Sequence, residues 1–367
     1  MKVISIVGAR PQLVKLAPIS AAFAGTKHEH VIVHTGQHYD ANLSDVFFDG
    51  LGIPAPDVHL GIGSGSHGVQ TGSVLAALDP VLEREKPDWV LVYGDTNSTI
   101  AGALSAVKMH LPVAHLEAGL RSFNRRMPEE HNRVLTDHCA DLLLAPTDEA
   151  MRHLAAEGLA ERSELAGDVM VDICLRIRDG VAAGAHPAPA LPEGIDAAKP
   201  FLLATLHRPD NTDDPERLAA IIDSLAALPL PVALLAHPRL VARAEAHGIE
   251  LGRGSVHVGE PLPYAGLIAA VLASSGVVTD SGGLQKEAFL LKRITTTIRP
   301  ETEWVETVRT GWNILVPDPH TMDPAAWAAT VTRAAPAADP GTPYGDGHAA
   351  ENVVRILEEW KGGSQQA

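Results

Sequence analysis

Short β-branched runs recur along the chain with longer amphipathic stretches between them, and no other feature narrows the fold so far. VISIV at 3–7, VIVHT at 31–35, WVLVY at 89–93, PVAHL at 112–116 and DLLLA at 141–145 alternate with helix-like segments such as 69–86 and 98–109. That alternation predicts an α/β chain built on a parallel sheet. A second series follows residue 197, with FLLAT at 201–205, VALLA at 232–236, SVHV at 255–258 and GVVTD at 276–280. It predicts a second doubly wound half. A chain of 367 residues is long for one core and suits two domains, each able to bury enough apolar surface to fold. Two such halves facing one another leave a cleft lined by the carboxyl ends of the strands, where open α/β sheets bind ligands.

Two stretches interrupt the pattern. GVAAGAHPAPALPEGIDAAKP at 180–200 is rich in Ala, Pro and Gly and reads as an exposed excursion near the domain junction, and APAADPGTPYGDG precedes a last helix at 348–361. The expected boundaries are 1–169 for the first domain and 170–345 for the second, with the segment 346–367 packing back on the first.

Charge and composition exclude several functions. The formal net charge of −16 argues against nucleic-acid partners, because phosphate backbones are held by clustered Lys and Arg. An anionic small molecule remains compatible where basic residues gather locally. Cys139 and Cys174 show neither CxxC spacing nor a partner cluster, as expected for a reduced, cytoplasmic protein. The opening MKVISIVGARPQ lacks the long apolar segment and cleavage site of a signal peptide. No apolar stretch approaches the roughly 18 residues of a membrane span, so no membrane partner is expected. Eighteen histidines fall into no HxxxH, HExxH or EF-hand pattern, and no metal is predicted. Neither GxGxxG nor GxxxxGK[ST] occurs, so the dinucleotide and P-loop fingerprints are missing.

Chemistry-bearing residues fall directly after strands. Gly8-Ala9-Arg10 follows the first, Gly94-Asp95-Thr96 follows WVLVY, and Glu117 follows PVAHL. The segment HLEAGLRSFNRRMPEEHNR at 115–133 packs three glutamates, four arginines and two histidines into nineteen positions. Such a run is by default a solvated loop. Its position changes that reading, since Asp95, Glu117 and Glu129 share one sheet edge with Arg10, Arg121 and Arg133. Structural ion pairing is one account of them. Catalytic acid–base work is the sharper one, because proton transfer at a weakly acidic carbon needs a positioned base.

The second series behaves alike, with His207-Arg208 after FLLAT, His237 after VALLA and Asp280 after GVVT. DSGGLQKEAF at 280–289 reads as a strand-to-helix turn. Ser281, Gly282 and Gly283 then sit at a helix N-terminus, where free N–H groups and the dipole favour a phosphate. The dipole supplies roughly 0.3–1 kcal/mol, so a diphosphate needs cations as well, and Arg10 and Lys15 are candidates. Glu287 lies about 9 Å farther along the helix, within reach of ribose hydroxyls. His207 and His237 taken singly are as readily loop or cap residues.

With these residues in hand, the chain resembles the non-hydrolysing UDP-N-acetylglucosamine 2-epimerases. The likeness runs nearly end to end through GARPQLVKLAP, TGQH, VYGDTNST, HLEAGLRS, MPEEHNR, TLHRPDN, DSGGLQKEA and PYGDG. It implies two Rossmann-like domains of the glycosyltransferase B type of fold, a homodimer, and epimerisation at C2 without a cofactor. UDP would leave by anti elimination to a 2-acetamidoglucal and return after reprotonation on the other face. By the same matching, Asp95, Glu117, Glu129 and His207 are catalytic positions. Arg10, Lys15, Arg133, Arg208, Ser281, Gly282, Gly283 and Glu287 fall on substrate positions, and Tyr264 on the aromatic position near uracil.

Three departures from the family pattern bear on substrate and control. GARPQ replaces the usual GTRPE. RPETEWVE at 299–306 keeps Arg299, Glu303 and Glu306 but has Trp304 where the N-acetylglucosamine branch has arginine. With GWNILV at 311–316, this resembles the branch acting on UDP-2,3-diacetamido-2,3-dideoxyglucuronate. YDANLSDVF at 39–47 differs from the segment of substrate-activated enzymes. Competing activities are a hydrolysing epimerase releasing N-acetylmannosamine and UDP, a retaining UDP-sugar glycosyltransferase, and a nucleotide-sugar sensor without catalysis.

Overall fold

The computed structural model describes residues 1–37 and 51–360. The segment 39–47, whose sequence bears on activation by substrate, lies outside them. The chain divides into two compact units, residues 1–173 with 342–367, and residues 174–341.

In the first unit, seven parallel strands are ordered β3-β2-β1-β4-β5-β6-β7. They are β1 (Lys2–Val7), β2 (Glu29–His34), β3 (Val58–His59), β4 (Trp89–Tyr93), β5 (Val113–Leu116), β6 (Leu142–Ala145) and β7 (Ser163–Leu165). The central strands are apolar on both faces because helices cover both. Ile4, Ile6, Val90 and Val92 pack with Val74, Leu78 and Leu82 of the helix His67–Glu85 and with Ala101, Ala103 and Ala106 of Asn97–Lys108. The second helix starts where it does because Thr96 and Thr99 cap it reciprocally. The last helix, Ala349–Glu359, packs on the helix Arg10–Ala24 of this unit. It buries Val353, Val354, Ile356 and Leu357, the one strongly amphipathic stripe at that end of the chain.

In the second unit, six parallel strands run β10-β9-β8-β11-β12-β13. They are β8 (Leu202–Thr205), β9 (Val232–Leu235), β10 (Val256–Gly259), β11 (Gly276–Thr279), β12 (Thr295–Thr297) and β13 (Asn313–Leu315). Their core joins Leu202, Ala204, Val232, Leu234 and Val278 to Leu218, Ile221, Ile222 and Leu225 of the helix Pro215–Ala226.

In each sheet the strand order reverses once, between β1 and β4 and between β8 and β11. Segments leaving those strands diverge to opposite faces, which opens a crevice at the carboxyl ends. Among the described residues, no helix is long and apolar enough to cross a membrane.

Candidate active site

Two left-handed turns, one at the switch point of the first sheet and one on the next strand, carry the acidic residues. Gly94, leaving β4, has φ +62°, and Glu117, leaving β5, has φ +72°. Positive φ is uncommon outside glycine, so Glu117 is held there by its surroundings. Its amide donates to the Leu144 carbonyl at 3.1 Å, and the Ala118 amide donates to the same oxygen at 3.2 Å. The Glu117 carboxylate pairs with Lys15. Burial would lower the Lys15 ammonium, but Glu117 first and Asp95 second more than offset this and hold it above its ordinary range.

Asp95 pairs with Arg133, and Asn132 Nδ2 donates to the Asp95 carbonyl at 2.9 Å. Both partners come from the helix Pro128–Cys139, whose proline at the first position has no N–H to leave unpaired. The same helix separates Glu129 from Glu130. Glu129 is exposed on the first turn, while Glu130 is only 5% exposed. The Glu130 carboxylate accepts from the Ser122 amide, the Ser122 hydroxyl and the Phe123 amide, each at 2.9 Å, and from Arg133 Nη1 at 2.8 Å. Burial would raise its carboxyl, but these donors hold it below the usual range. Arg133 thus ties the Asp95 turn to the 122–123 loop through Glu130, a residue the sequence reading does not single out. Its i,i+3 spacing from Arg133 is the signal. Arg121 does not join this group, because its guanidinium is taken up by Asp137 and Glu157.

The opening motif has a local purpose. The Gln12 carboxamide oxygen accepts from the Gly8 and Ala9 amides at 2.8 and 3.0 Å, and its nitrogen donates to the Tyr93 carbonyl at 2.9 Å. A glutamate could accept from those amides but, ionised, could not donate to Tyr93. Gly8 is required by space, since a Cβ there would overlap Thr35 and Ser98. Nothing is described of the Arg10 side chain.

In the second unit the switch point is organised around Asp280, which is fully buried after β11. It accepts from the His207 and Arg208 amides at 3.1 and 3.0 Å and from Asn211 Nδ2 at 3.1 Å, and it pairs with His207 Nδ1 at 3.0 Å. Burial would raise this carboxyl, but His207 and then the Arg208 amide and Asn211 keep it below the usual range. Arg208 Nε donates to the Asp280 carbonyl at 2.9 Å. Ser281 caps the helix Gly282–Leu290 by accepting from the Leu284 amide at 3.3 Å, with Gly282 and Gly283 forming its first turn.

Against that helix end lie Arg299 and Glu303, paired at 3.0 Å. A Cβ on Gly282 would come within 2.5 Å of Glu303 Oε1. Arg208 is held below its ordinary range by burial and then by repulsion from Arg299. Arg299 Nη1 is buried without a hydrogen-bond partner. Two arginines and a helix N-terminus therefore gather on one spot with Glu303 as the carboxylate between them. Glu287 is buried on the same helix, and half-buried Tyr264 opens the helix Tyr264–Ala273. Lys286, 1% exposed, has its ammonium 3.9 Å over the buried Trp304 ring. His237 caps the helix Pro238–Ala246, its Nδ1 accepting from the Arg239 amide at 3.2 Å.

A family profile described as UDP-N-acetylglucosamine 2-epimerase matches residues 21–358. A UDP-2,3-diacetamido-2,3-dideoxy-D-glucuronate 2-epimerase of Pseudomonas aeruginosa is 44% identical over 364 residues, 97% of this chain and 99% of that protein. A UDP-N-acetylglucosamine 2-epimerase of Methanocaldococcus jannaschii is 38% identical over 365 residues, again 97% of this chain and 99% of that protein. The crystal structure of Methanocaldococcus jannaschii UDP-GlcNAc 2-epimerase in complex with UDP-GlcNAc and UDP superposes with a TM-score of 0.82 at 36% identity, covering 98% of this chain and 99% of that one. With two parallel sheets of the expected kind, and with that likeness along almost all its length, the chain belongs to the UDP-N-acetylglucosamine 2-epimerase family.

Proposed function

We propose that the chain interconverts UDP-N-acetylglucosamine and UDP-N-acetylmannosamine by eliminating and re-adding UDP. A base takes the C2 proton, the C2–H electron pair forms the C1=C2 bond of a 2-acetamidoglucal, and the C1–O pair departs with UDP. Protonation of C2 on the other face and attack by the UDP oxygen at C1 reverse the sequence. The observation that carries this is the pairing of Asp95 with Arg133 and of Glu117 with Lys15. The two carboxylates leave the neighbouring strands β4 and β5, and each is fixed by a cation from a helix, as proton transfer at a defined carbon requires. Glu129, exposed on the adjacent helix turn, is the third proton-handling group, and His207 assists. Arg10, Lys15 and Arg133 support the sugar and departing diphosphate.

The buried, unpartnered Arg299 Nη1 beside Arg208 and the Gly282–Gly283 helix end supports a diphosphate subsite, since a buried donor without a partner is rare unless a ligand supplies one. Ser281 joins that subsite, Glu287 takes the ribose hydroxyls, and Tyr264 lies near uracil. No cofactor takes part. The working state in this reading is a cytoplasmic homodimer, and light scattering is expected to return a mass twice the 38.7 kDa of one chain; the mass of a single chain would count against it.

A second substrate, UDP-2,3-diacetamido-2,3-dideoxyglucuronate, is favoured by Trp304 standing where the N-acetylglucosamine branch has arginine. The test is NMR in D2O with each sugar nucleotide in turn. Deuterium at C2 with a new UDP-linked manno signal supports the reading and identifies the substrate. Free N-acetylmannosamine and UDP would make it a hydrolysing enzyme, and silence with both would leave a transferase or a binding protein.

A further inference from the structure

The first unit buries an imidazole ring for which the roles above have no use. His115 lies on β5, fully buried, two residues before Glu117. Its Nε2 is 2.7 Å from the Gly94 carbonyl oxygen and its Nδ1 is 2.6 Å from Asp137 Oδ1. A carbonyl oxygen has no hydrogen to give, so Nε2 carries one and donates it. The other side of Asp137 meets donors only, the Gly119 amide at 3.1 Å and Arg121 Nη1 at 2.7 Å. Arg121 is charged at any working pH, and its pairing keeps Asp137 ionised. A carboxylate only accepts, so Nδ1 donates as well. The charges balance locally. Arg121 gives Nε and Nη2 to Glu157 at 2.7 and 2.8 Å, and His138 Nε2 meets Glu157 at 3.0 Å on the exposed side.

We propose that His115, protonated on both ring nitrogens, is the positioning residue that sets the spacing of the carboxylate-bearing turns. It rests on the epimerase reading above and names how that site is held. One ring joins three elements. Through Gly94 it holds the turn of Asp95, through its own strand the turn of Glu117, and through Asp137 the helix Pro128–Cys139 that carries Glu129, Glu130 and Arg133. Glu117 has positive φ, a strained conformation outside glycine that persists only where the surroundings hold it. A glutamine at 115 has one amide nitrogen and cannot donate to Gly94 and Asp137 in the ring's geometry.

Long-range 1H–15N spectra of the full chain, with the His115 signals assigned by their loss in His115→Gln, read the ring directly. Two protonated nitrogens at neutral pH are expected, and a single one overturns the proposal. Deuterium wash-in at C2 then reads the consequence. His115→Gln and Asp137→Asn are each expected to lower kcat about 100-fold, the loss that a misplacement near 1 Å brings, with KM unchanged. A variant that melts earlier but keeps kcat per folded molecule would make the ring merely structural and overturn the proposal. Should His115→Gln fail to fold, Asp137→Asn carries the test, because the ring signals are then assigned by their shift in that variant. A wild-type chain inactive on both sugar nucleotides overturns the epimerase reading and with it the catalytic consequence proposed here, whatever the ring spectrum shows.

Discussion

The adjacent glutamates of the MPEE stretch face two environments that sequence leaves together. Successive helix residues point about 100° apart, so only one of Glu129 and Glu130 can turn inward at that position, and Glu130 does. Glu129→Gln is therefore expected to abolish C2 exchange while leaving urea unfolding within about 0.5 kcal/mol of wild type, as surface changes do. Glu130→Ala strands the Ser122 and Phe123 amides and one side of Arg133, and should cost about 3 kcal/mol. Equal losses of stability in the two variants would remove the distinction. Trp304 invites a parallel test. Its ring faces the buried Lys286 ammonium at 3.9 Å, and cation–π attraction replaces what an arginine there would make repulsive. Trp304→Arg, the residue of the N-acetylglucosamine branch, is expected to destabilise by about 3 kcal/mol rather than to switch substrate cleanly. A stable variant with a clean switch in wash-in rates would show that the pair is dispensable.

At the scale of elements, the last helix is fixed by a capping group far away in sequence. Asp172 accepts from the Ala349 and Ala350 amides at 3.1 and 2.7 Å, and burial pushes its carboxyl up to about 6 despite those bonds. A carboxyl whose folded value is raised binds its proton more tightly when folded. Its stabilising contribution is complete below the unfolded value near 4 and is lost as pH rises through about 6. Asp172→Asn removes that titration. Melting temperatures of wild type minus variant should thus fall between about pH 4 and pH 6.5 and then level, and a flat difference would refute the assignment. The C-terminal helix was legible because its apolar stripe has helical period, and β4 because five apolar residues run unbroken. β12 was not, since Thr295–Thr297 is buried through polar side chains, Thr297 donating to Asn313 at 2.9 Å, and hydrophobicity does not register it. β3 and β7, of two and three residues, are too short for any period. Turn residues that follow strands were visible from order alone. Of the supports beneath them, Glu130 is signalled only by its i,i+3 spacing from Arg133, and Asp137 and Glu157 were not visible, because they act through partners 22 and 36 residues away that only the fold brings together.

For the whole molecule, the net charge of −16 sets how an anionic sugar nucleotide approaches. At long range the protein repels it, and attraction comes only near the gathered cations. In each unit those cations are largely buried, Arg133 of the first to 8% exposure and Arg299 of the second to 7%, and salt screens buried charges far less than exposed ones. Raising ionic strength from 0.01 to 0.15 M shortens the screening length from about 30 Å to about 8 Å. This removes much of the repulsion while leaving the local pairing. kcat/KM is therefore expected to rise several-fold over that interval, the reverse of the fall seen where surface charge steers an opposite ligand. The uronate-bearing substrate carries one carboxylate more than UDP-N-acetylglucosamine and should show the steeper rise. A fall in kcat/KM with salt for both would mean that the local cations govern the approach as well as the binding, and that the acidic surface lies too far from the site to be felt.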